Sequence, residues 1–291
     1  MFVPGRPKRL LVNGRLYPRQ LKFLLARELG YQYLGIKERS RTSTPEAVHS
    51  FQQLLNDFRA AYFGGALLMP QAMVLADLAN FFARPTWDPQ PLVDMLTRYD
   101  VTPEMLLYRF SELIPQHFGL QIHFLRYHQV GDEYRLMKHL NMNQFIVPGG
   151  PALQEHYCRR WLSVRLLREM AERQAAGDTD RFPPPGIHIQ RFLNSEERYL
   201  AFGFTRSLVL SPGVSSSVTV GFRLTPGVDR IIRFVDDPAI PHVVVNETCE
   251  RCPLSPEECR VRAAPPSLLE AEQAESARMQ ALNRGIAQLQ G

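Results

Sequence analysis

The residues best suited to chemistry are four cysteines, all that the chain contains: Cys249, Cys252 and Cys259 at the spacing C-x2-C-x6-C, and a distant Cys158. A C-x2-C pair places two soft thiolates within reach of one metal centre, Pro253 and Pro256 stiffen the loop that carries the third, and a fourth ligand from elsewhere completes the shell. The set predicts a metal site. Two disulfides are the rival reading. Nothing at the N-terminus resembles a signal peptide, which predicts a cytoplasmic, reducing setting where disulfides rarely persist. A second stretch, Arg27-Glu28-Leu29-Gly30-Tyr31, has the frame of the zinc-peptidase motif H-E-x-x-H with both histidines replaced. In that motif two imidazoles one helical turn apart hold the ion and the glutamate activates its water. Here Arg27 carries a permanent positive charge and Tyr31 a phenol that stays protonated at neutral pH. No catalytic zinc, and so no peptidase chemistry, is expected from Arg27, Glu28 and Tyr31.

The histidines offer no replacement. His123 and His128 stand an odd number apart on a strand and should face opposite sides of a sheet. His49, His117, His139, His156, His188 and His242 show no ligand spacing, and His156, two residues from Cys158 on an expected helix, should point away from it. The chain has neither a G-x-S-x-G elbow nor a phosphate-binding G-x-x-x-x-G-K-[ST] loop.

These side chains need a scaffold. An Asn13-Gly14 turn predicts a hairpin over 10–16, followed by a helix over 19–34 with Leu21, Leu24, Leu25 and Leu29 as its buried face. Further helices are expected over 44–68, ended by Pro70, and over 71–83 and 90–99. Thr102 and Pro103 form a helix start. The helix pair within 92–113 has the outline of a helix-turn-helix, but Leu106, Leu107, Phe110 and Leu113 make an apolar face that fits a core better than DNA. Alternation over 120–127 and 134–140 around Gly131-Asp132 predicts a second hairpin. Pro148-Gly149-Gly150 suggests a boundary, followed by a helix over 152–175 with Cys158 in its first turns. Strands are expected over 187–193, 198–208 and 216–224. Beyond the cysteine loop, a helix over 267–289 carries a stripe of Met279, Leu282, Ile286 and Leu289, expected to pack on its own domain or to mediate a homodimer.

At 291 residues and 45% hydrophobic, the chain is long enough to bury a sizeable core in one or two domains. No apolar run reaches the ~20 residues needed to span a bilayer, so no membrane contact is expected. A net charge of +5 suits an anionic ligand or nucleic acid, and equally an arginine-rich surface. The densest basic stretch, Gly5-Arg6-Pro7-Lys8-Arg9, lacks interleaved aromatics and is expected to be a solvated lead-in to a strand.

Taken together, the residues resemble the ImmA/IrrE-type metallopeptidase-like family, in the branch that forms the effector part of helix-turn-helix regulators of short-chain fatty acid metabolism. The likeness rests on Leu25-Ala26-Arg27-Glu28-Leu29-Gly30-Tyr31, on Tyr62-Phe63-Gly64-Gly65-Ala66-Leu67-Leu68-Met69-Pro70, and on Tyr108-Arg109-Phe110. It continues in Cys158-Arg159-Arg160-Trp161, and in Cys249-Glu250-Arg251-Cys252 with Cys259 and Arg262-Ala263-Ala264-Pro265-Pro266. The resemblance implies an α+β fold: a helical degenerate zincin-like domain over 1–148, a sheet-containing regulator domain with the four-cysteine metal site over 149–266, and a C-terminal helix over 267–291. It implies a cytoplasmic sensor of CoA or acyl-CoA that has lost peptidase activity. Cys158, Cys249, Cys252 and Cys259 would hold a [4Fe–4S] cluster, with structural zinc as the alternative, and Arg109, Lys138 and Tyr199 stand where the family contacts its ligand. The family's DNA-binding region lies N-terminal to this one, so DNA contact is expected only through a helix-turn-helix region absent from this chain or through a partner chain. An ImmA/IrrE-type metallo-endopeptidase and a structural zinc-binding interaction protein are the competing functions.

Overall fold

In a computed structural model that describes residues 2–3, 5–7, 9–39, 50–148, 155–178, 180 and 183–290, a helical first third leads into one six-stranded sheet. The α+β class is as expected. Strand β1 (Phe2–Val3) pairs antiparallel with β2 (Arg9–Leu10), so the first hairpin lies closer to the N-terminus than the 10–16 expected. Asn13 and Gly14 do form a turn, closed by the Leu16 amide on the Asn13 carbonyl at 3.1 Å. Helix α1 (Pro18–Tyr33) then begins too soon for a second strand.

The buried face of α1 also differs from the expectation. Leu25 and Leu29 are 44% and 55% exposed, while Ala26, Gly30 and Tyr31 are buried. The cause is close packing on α2 (Phe51–Leu68). A Cβ at Gly30 would stand 3.0 Å from the Ala60 carbonyl oxygen, and one at Gly64 3.0 Å from the Arg27 amide nitrogen. Small residues let the two backbones touch, and the leucines are left outside. The Ser50 hydroxyl caps α2 by accepting from the Gln53 amide at 3.0 Å. The expected start near Thr44, like His49, lies outside the described residues.

Helices α3 (Gln71–Phe82), α4 (Gln90–Tyr99) and α5 (Pro103–Phe118) match expectation. Asp100 ends α4 in the left-handed conformation (φ 49°). Its carboxylate accepts from Arg19 at 2.8 Å and Lys22 at 2.9 Å, which fastens α1 to the α4–α5 corner. Thr102 occupies the N-cap of α5 without a side-chain hydrogen bond. Leu106, Leu107, Phe110 and Leu113 are all in the core, so the α4–α5 pair packs inward rather than presenting a DNA-reading face.

The sheet has the order β4-β3-β7-β6-β5-β8. Its strands are β3 (Ile122–Val130), β4 (Glu133–Asn141), β5 (Gly186–Phe192), β6 (Arg198–Ser207), β7 (Val214–Arg223) and β8 (His242–Val245). Neighbours run antiparallel except β5 and β8, which are parallel; β8 has no counterpart in the sequence expectations. Residues 149–154, where the boundary was drawn, are outside the described set, and the strands on either side of them share this sheet.

Alternation gives the sheet two different faces. Phe124, Leu200, Phe202, Val220 and Phe222 pack against α3–α5. Leu125, Tyr127 and Tyr199 pack instead with helix α6 (Leu162–Ala175) and the segment before it. Cys158 therefore precedes α6 rather than lying in its first turns. Tyr157 bridges to Thr248, and the Cys158 amide donates to the Glu247 carbonyl at 3.1 Å, which holds this stretch extended. The expected helix start at 152 lies outside the described residues. In α7 (Ser267–Gln290), Met279 and Leu282 are 52% and 56% exposed, so this part of the stripe does not pack on its own domain. The side chains of Ile286 and Leu289 are outside the described set. Among the described residues no single helix is long and apolar enough to cross a membrane. Helices α2 and α3 pass that test only together, with a 70° bend between them, and α3 is a core helix.

Candidate functional site

At the altered peptidase motif, Arg27, Glu28 and Tyr31 are each engaged by another protein group. The buried Tyr31 hydroxyl donates to the Asp57 carboxylate on α2, and burial, then this bond, raises the phenol pKa far above its ordinary value. Glu28 accepts from Arg39 at 2.8 Å and from Gln32 at 2.7 Å. The guanidinium groups of Arg27 and Arg39 lie 5.9 and 5.1 Å from the centre of the Tyr31 ring.

Arg27 also faces a cavity of about 330 Å³ between α1, α2, α5 and the sheet. Five cations, Arg27, Arg109, Arg126, Lys138 and Arg206, line it against two carboxylates, Glu104 and Glu112. The cavity brings together two of the three residues expected to contact a CoA ester. Arg109 is buried on α5, donates to Glu112 at 2.7 Å and to the Met69 carbonyl at 3.3 Å, and stacks 5.4 Å from the Tyr62 ring. Lys138 reaches the cavity because β4 is irregular. Tyr127 pairs with Leu136 but Arg126 with Lys138, which leaves Met137 as a bulge. A one-residue bulge reverses the facing of every later side chain: Tyr134 and Leu136 pack toward α6, whereas Lys138 turns to the helical side. Its ammonium lies 3.8 Å from the centre of the Tyr108 ring, although the residue as a whole is exposed. Burial, then Arg126, brings its pKa down to about 8, with Glu112 opposing.

Tyr199 is elsewhere. It sits on the opposite face of the sheet, 1% exposed, its ring packed edge-on against Phe145 and its hydroxyl donating to Glu197 at 2.8 Å. The cavity instead uses Arg126 and the Arg206–Glu104 pair, which sequence reasoning missed. Burial opposes ionisation of Glu104, but Arg206 and Arg126 outweigh it and hold the carboxyl below its ordinary pKa. The signal was present in the alternation: Arg126 follows Ile122 and Phe124, and Arg206 follows Phe202 and Phe204, on the apolar register of their strands.

The four cysteines gather beyond the other face of the sheet. All are buried and free, so no disulfide joins them. The Asn246 amide points to the Cys158 sulfur at 3.5 Å and the Ala263 amide to the Cys249 sulfur at 3.4 Å. Further amides, from Arg160 and Leu254, act on Cys158 and Cys252. Burial raises the Cys158 thiol to about 11, and the nearby Cys249 and Cys252 add to the rise against these amides. Arg262 fixes the loop by donating to the carbonyls of Leu254, Cys249 and Cys252. The Trp161 indole donates to the Asn246 carbonyl at 2.8 Å. His156, placed by an extended segment and not a helix, donates its amide to Glu250 at 2.9 Å and holds the same carboxylate with its ring. Among the described residues no three His, Cys, Asp or Glu side chains converge tightly enough to hold a single ion.

Helices with an altered peptidase motif, a cationic cavity and a buried four-thiol corner share one α+β fold. Residues 2–111 match the family model described as the IrrE N-terminal-like domain of the M78 peptidases, so this part of the chain is similar to that domain. No curated protein matches the sequence. Among solved structures, a Mycobacterium tuberculosis transcriptional regulator superposes with a TM-score of 0.55 at 20% identity, over 86% of this chain and 70% of that one. At that identity the likeness is one of fold.

Proposed function

We propose that the chain is the ligand-sensing part of a transcriptional regulator, inactive as a peptidase, and that its ligand is CoA or an acyl-CoA. The cavity carries this reading: five cations against two carboxylates leave an excess of positive charge in a walled recess, beside the aromatic face of Tyr108. Phosphates of a CoA ester would meet Arg109, Lys138 and Arg27, and the adenine would stack on an aromatic ring. Tyr199 has no place in this site. The match to the IrrE N-terminal-like domain and the regulator of similar fold support the regulatory role. Calorimetry with butyryl-CoA tests the ligand. Micromolar or tighter binding, weakened at least tenfold by Arg109→Met, is expected, and no heat at millimolar ester contradicts it.

The four thiols suit a [4Fe–4S] cluster. They are soft, buried and supplied with amide donors to sulfur, the surroundings that stabilise thiolates on iron. Cys158, Cys249, Cys252 and Cys259 would hold it, and it would supply one-electron redox chemistry or a structural staple. Structural zinc is the competing occupant, because the same thiols bind it. Iron and sulfide in anaerobically purified protein support the cluster, and stoichiometric zinc without iron refutes it. The peptidase alternative lacks a metal-bound water for Glu28, whose carboxylate is already taken by Arg39. Chelator-sensitive proteolysis by the purified chain would revive it.

A further inference from the structure

A second recess, of about 410 Å³, opens beside Cys259 between α6, the extended segment before it and the cysteine loop, across the sheet from the cavity that Arg27 faces. Arg159, Arg160, Arg165, Arg168 and Arg260 line it against Glu169, Glu257 and Glu258. The carboxylates leave most of this charge unmatched. Glu169 lies 3.5 Å from Arg165. Glu257 and Glu258 are exposed and form no ion pair among the described residues, and Glu258 accepts instead from the Ser255 amide at 2.8 Å. Arg159, 9% exposed, is fixed 4.2 Å from the centre of the Tyr134 ring and donates to the Asp132 carbonyl at 3.3 Å. Arg168 donates to the Arg159 carbonyl at 3.4 Å, with Glu172 3.6 Å away. Arg160 and Arg260 have no side-chain hydrogen bond or ion pair among the described residues. Three guanidinium groups, those of Arg159, Arg160 and Arg260, thus border one recess with no carboxylate paired to any of them. Gathering like charges costs free energy that an anion between them recovers.

We propose that this recess binds a small, phosphate-dense anion, a diphosphate or triphosphate, through Arg159, Arg160 and Arg260. The site is separate from the CoA-ester cavity and does not rest on that reading. Three features set the class of ligand. A lone carboxylate occupies one guanidinium fork and leaves the others unmatched, whereas a diphosphate or triphosphate offers oxygens to all three. The recess has the size of a small-molecule site, and the carboxylates of Glu169, Glu257 and Glu258 around it would repel the continuing phosphates of a nucleic acid strand. Its apolar lining is Val243 and Val261, without an aromatic ring, so the base of a nucleotide has no face to stack on and inorganic triphosphate should serve as well as ATP.

The test is calorimetry with inorganic triphosphate, ATP and orthophosphate on wild-type, Arg160→Gln, Arg260→Gln and Arg109→Met proteins, at about 0.15 M salt, where charges more than ~8 Å apart are largely screened. Triphosphate is expected to bind wild type, with ATP within threefold of it and orthophosphate at least tenfold weaker. Arg160→Gln and Arg260→Gln should each weaken triphosphate about tenfold, as the loss of charged hydrogen bonds allows. Their thermal midpoints should not change, because neither side chain has a partner within the protein. Arg109→Met, in the other cavity, should stay within twofold of wild type. No binding of triphosphate at that salt, or an affinity that survives both Arg160→Gln and Arg260→Gln, overturns the proposal. A loss confined to Arg109→Met places the anion in the cavity that Arg27 faces and overturns it too. Duplex DNA that displaces triphosphate at a lower concentration than ATP does would make this surface a nucleic-acid contact and overturn the assignment to a small anion.

Discussion

The two faces of the sheet are built from the same strands in opposite ways. The helical face is charged and leaves room: Arg126, Lys138 and Arg206 sit on an otherwise apolar register, and polar atoms there lack partners. The other face is packed with rings, where His123 stacks 4.0 Å from Phe145 and Trp161, Phe192 and Tyr199 surround them, and it leads to four buried thiols held by amides. Alternation alone separates the two, and the bulge at Met137 moves Lys138 from one to the other. A binding site needs unmet charge and space, whereas a staple needs closed packing and fixed donors. One sheet offers both kinds of surroundings without mixing them.

Removing a ligand of the proposed cluster should have the largest effect. Cys249→Ser is expected to abolish bound iron and sulfide and to cost several kcal/mol of stability, because metal binding and folding are coupled in such sites; metal analysis and chemical denaturation check this. Next comes crowding of the ring-packed face. A Cβ at Gly221 would lie 2.3 Å from the His123 ring, so Gly221→Ala should cost about 1–3 kcal/mol while changing butyryl-CoA affinity less than twofold. An effect on affinity as large as that on stability would dissolve the separation of the faces.

Acid should also act on the ring-packed face. His123 and His188 are buried neutral, with pKa values brought down to about 3 mainly by burial. Their folded values lie below the unfolded value near 6.5, so their contribution is fully present above about pH 6.5 and is lost as pH falls toward 3, by up to about 1.4 kcal/mol per histidine per pH unit. Urea unfolding at pH 7 and pH 5 measures it. The smallest effect belongs to the charged face. Lys138, with its pKa near 8, loses its charge as pH rises, so ester affinity should fall severalfold between pH 7 and pH 9, and Lys138→Met should remove most of that dependence.

Much of this was legible in the sequence where local chemistry decides. Gly131-Asp132 marked the β3–β4 hairpin, and Thr102-Pro103 marked the start of α5. The cysteine spacing marked the loop, and the replaced histidines marked the altered motif. Three things were not legible, each because tertiary packing decides it. The exposed Leu25 and Leu29 follow from the glycine contact between α1 and α2, which a leucine periodicity does not reveal. The Met137 bulge has no residue signature, although it determines which face Lys138 serves. The family resemblance put Tyr199 with the ligand contacts, yet register places it among the rings near the cysteines.

The central claim, that ligand and staple occupy opposite faces, is tested most directly by titrating butyryl-CoA calorimetrically into wild-type, Arg109→Met and Tyr199→Phe proteins. Loss of at least tenfold in affinity for Arg109→Met, with Tyr199→Phe within twofold of wild type, is the predicted result. A loss confined to Tyr199→Phe would place the ligand on the cysteine side and contradict the account.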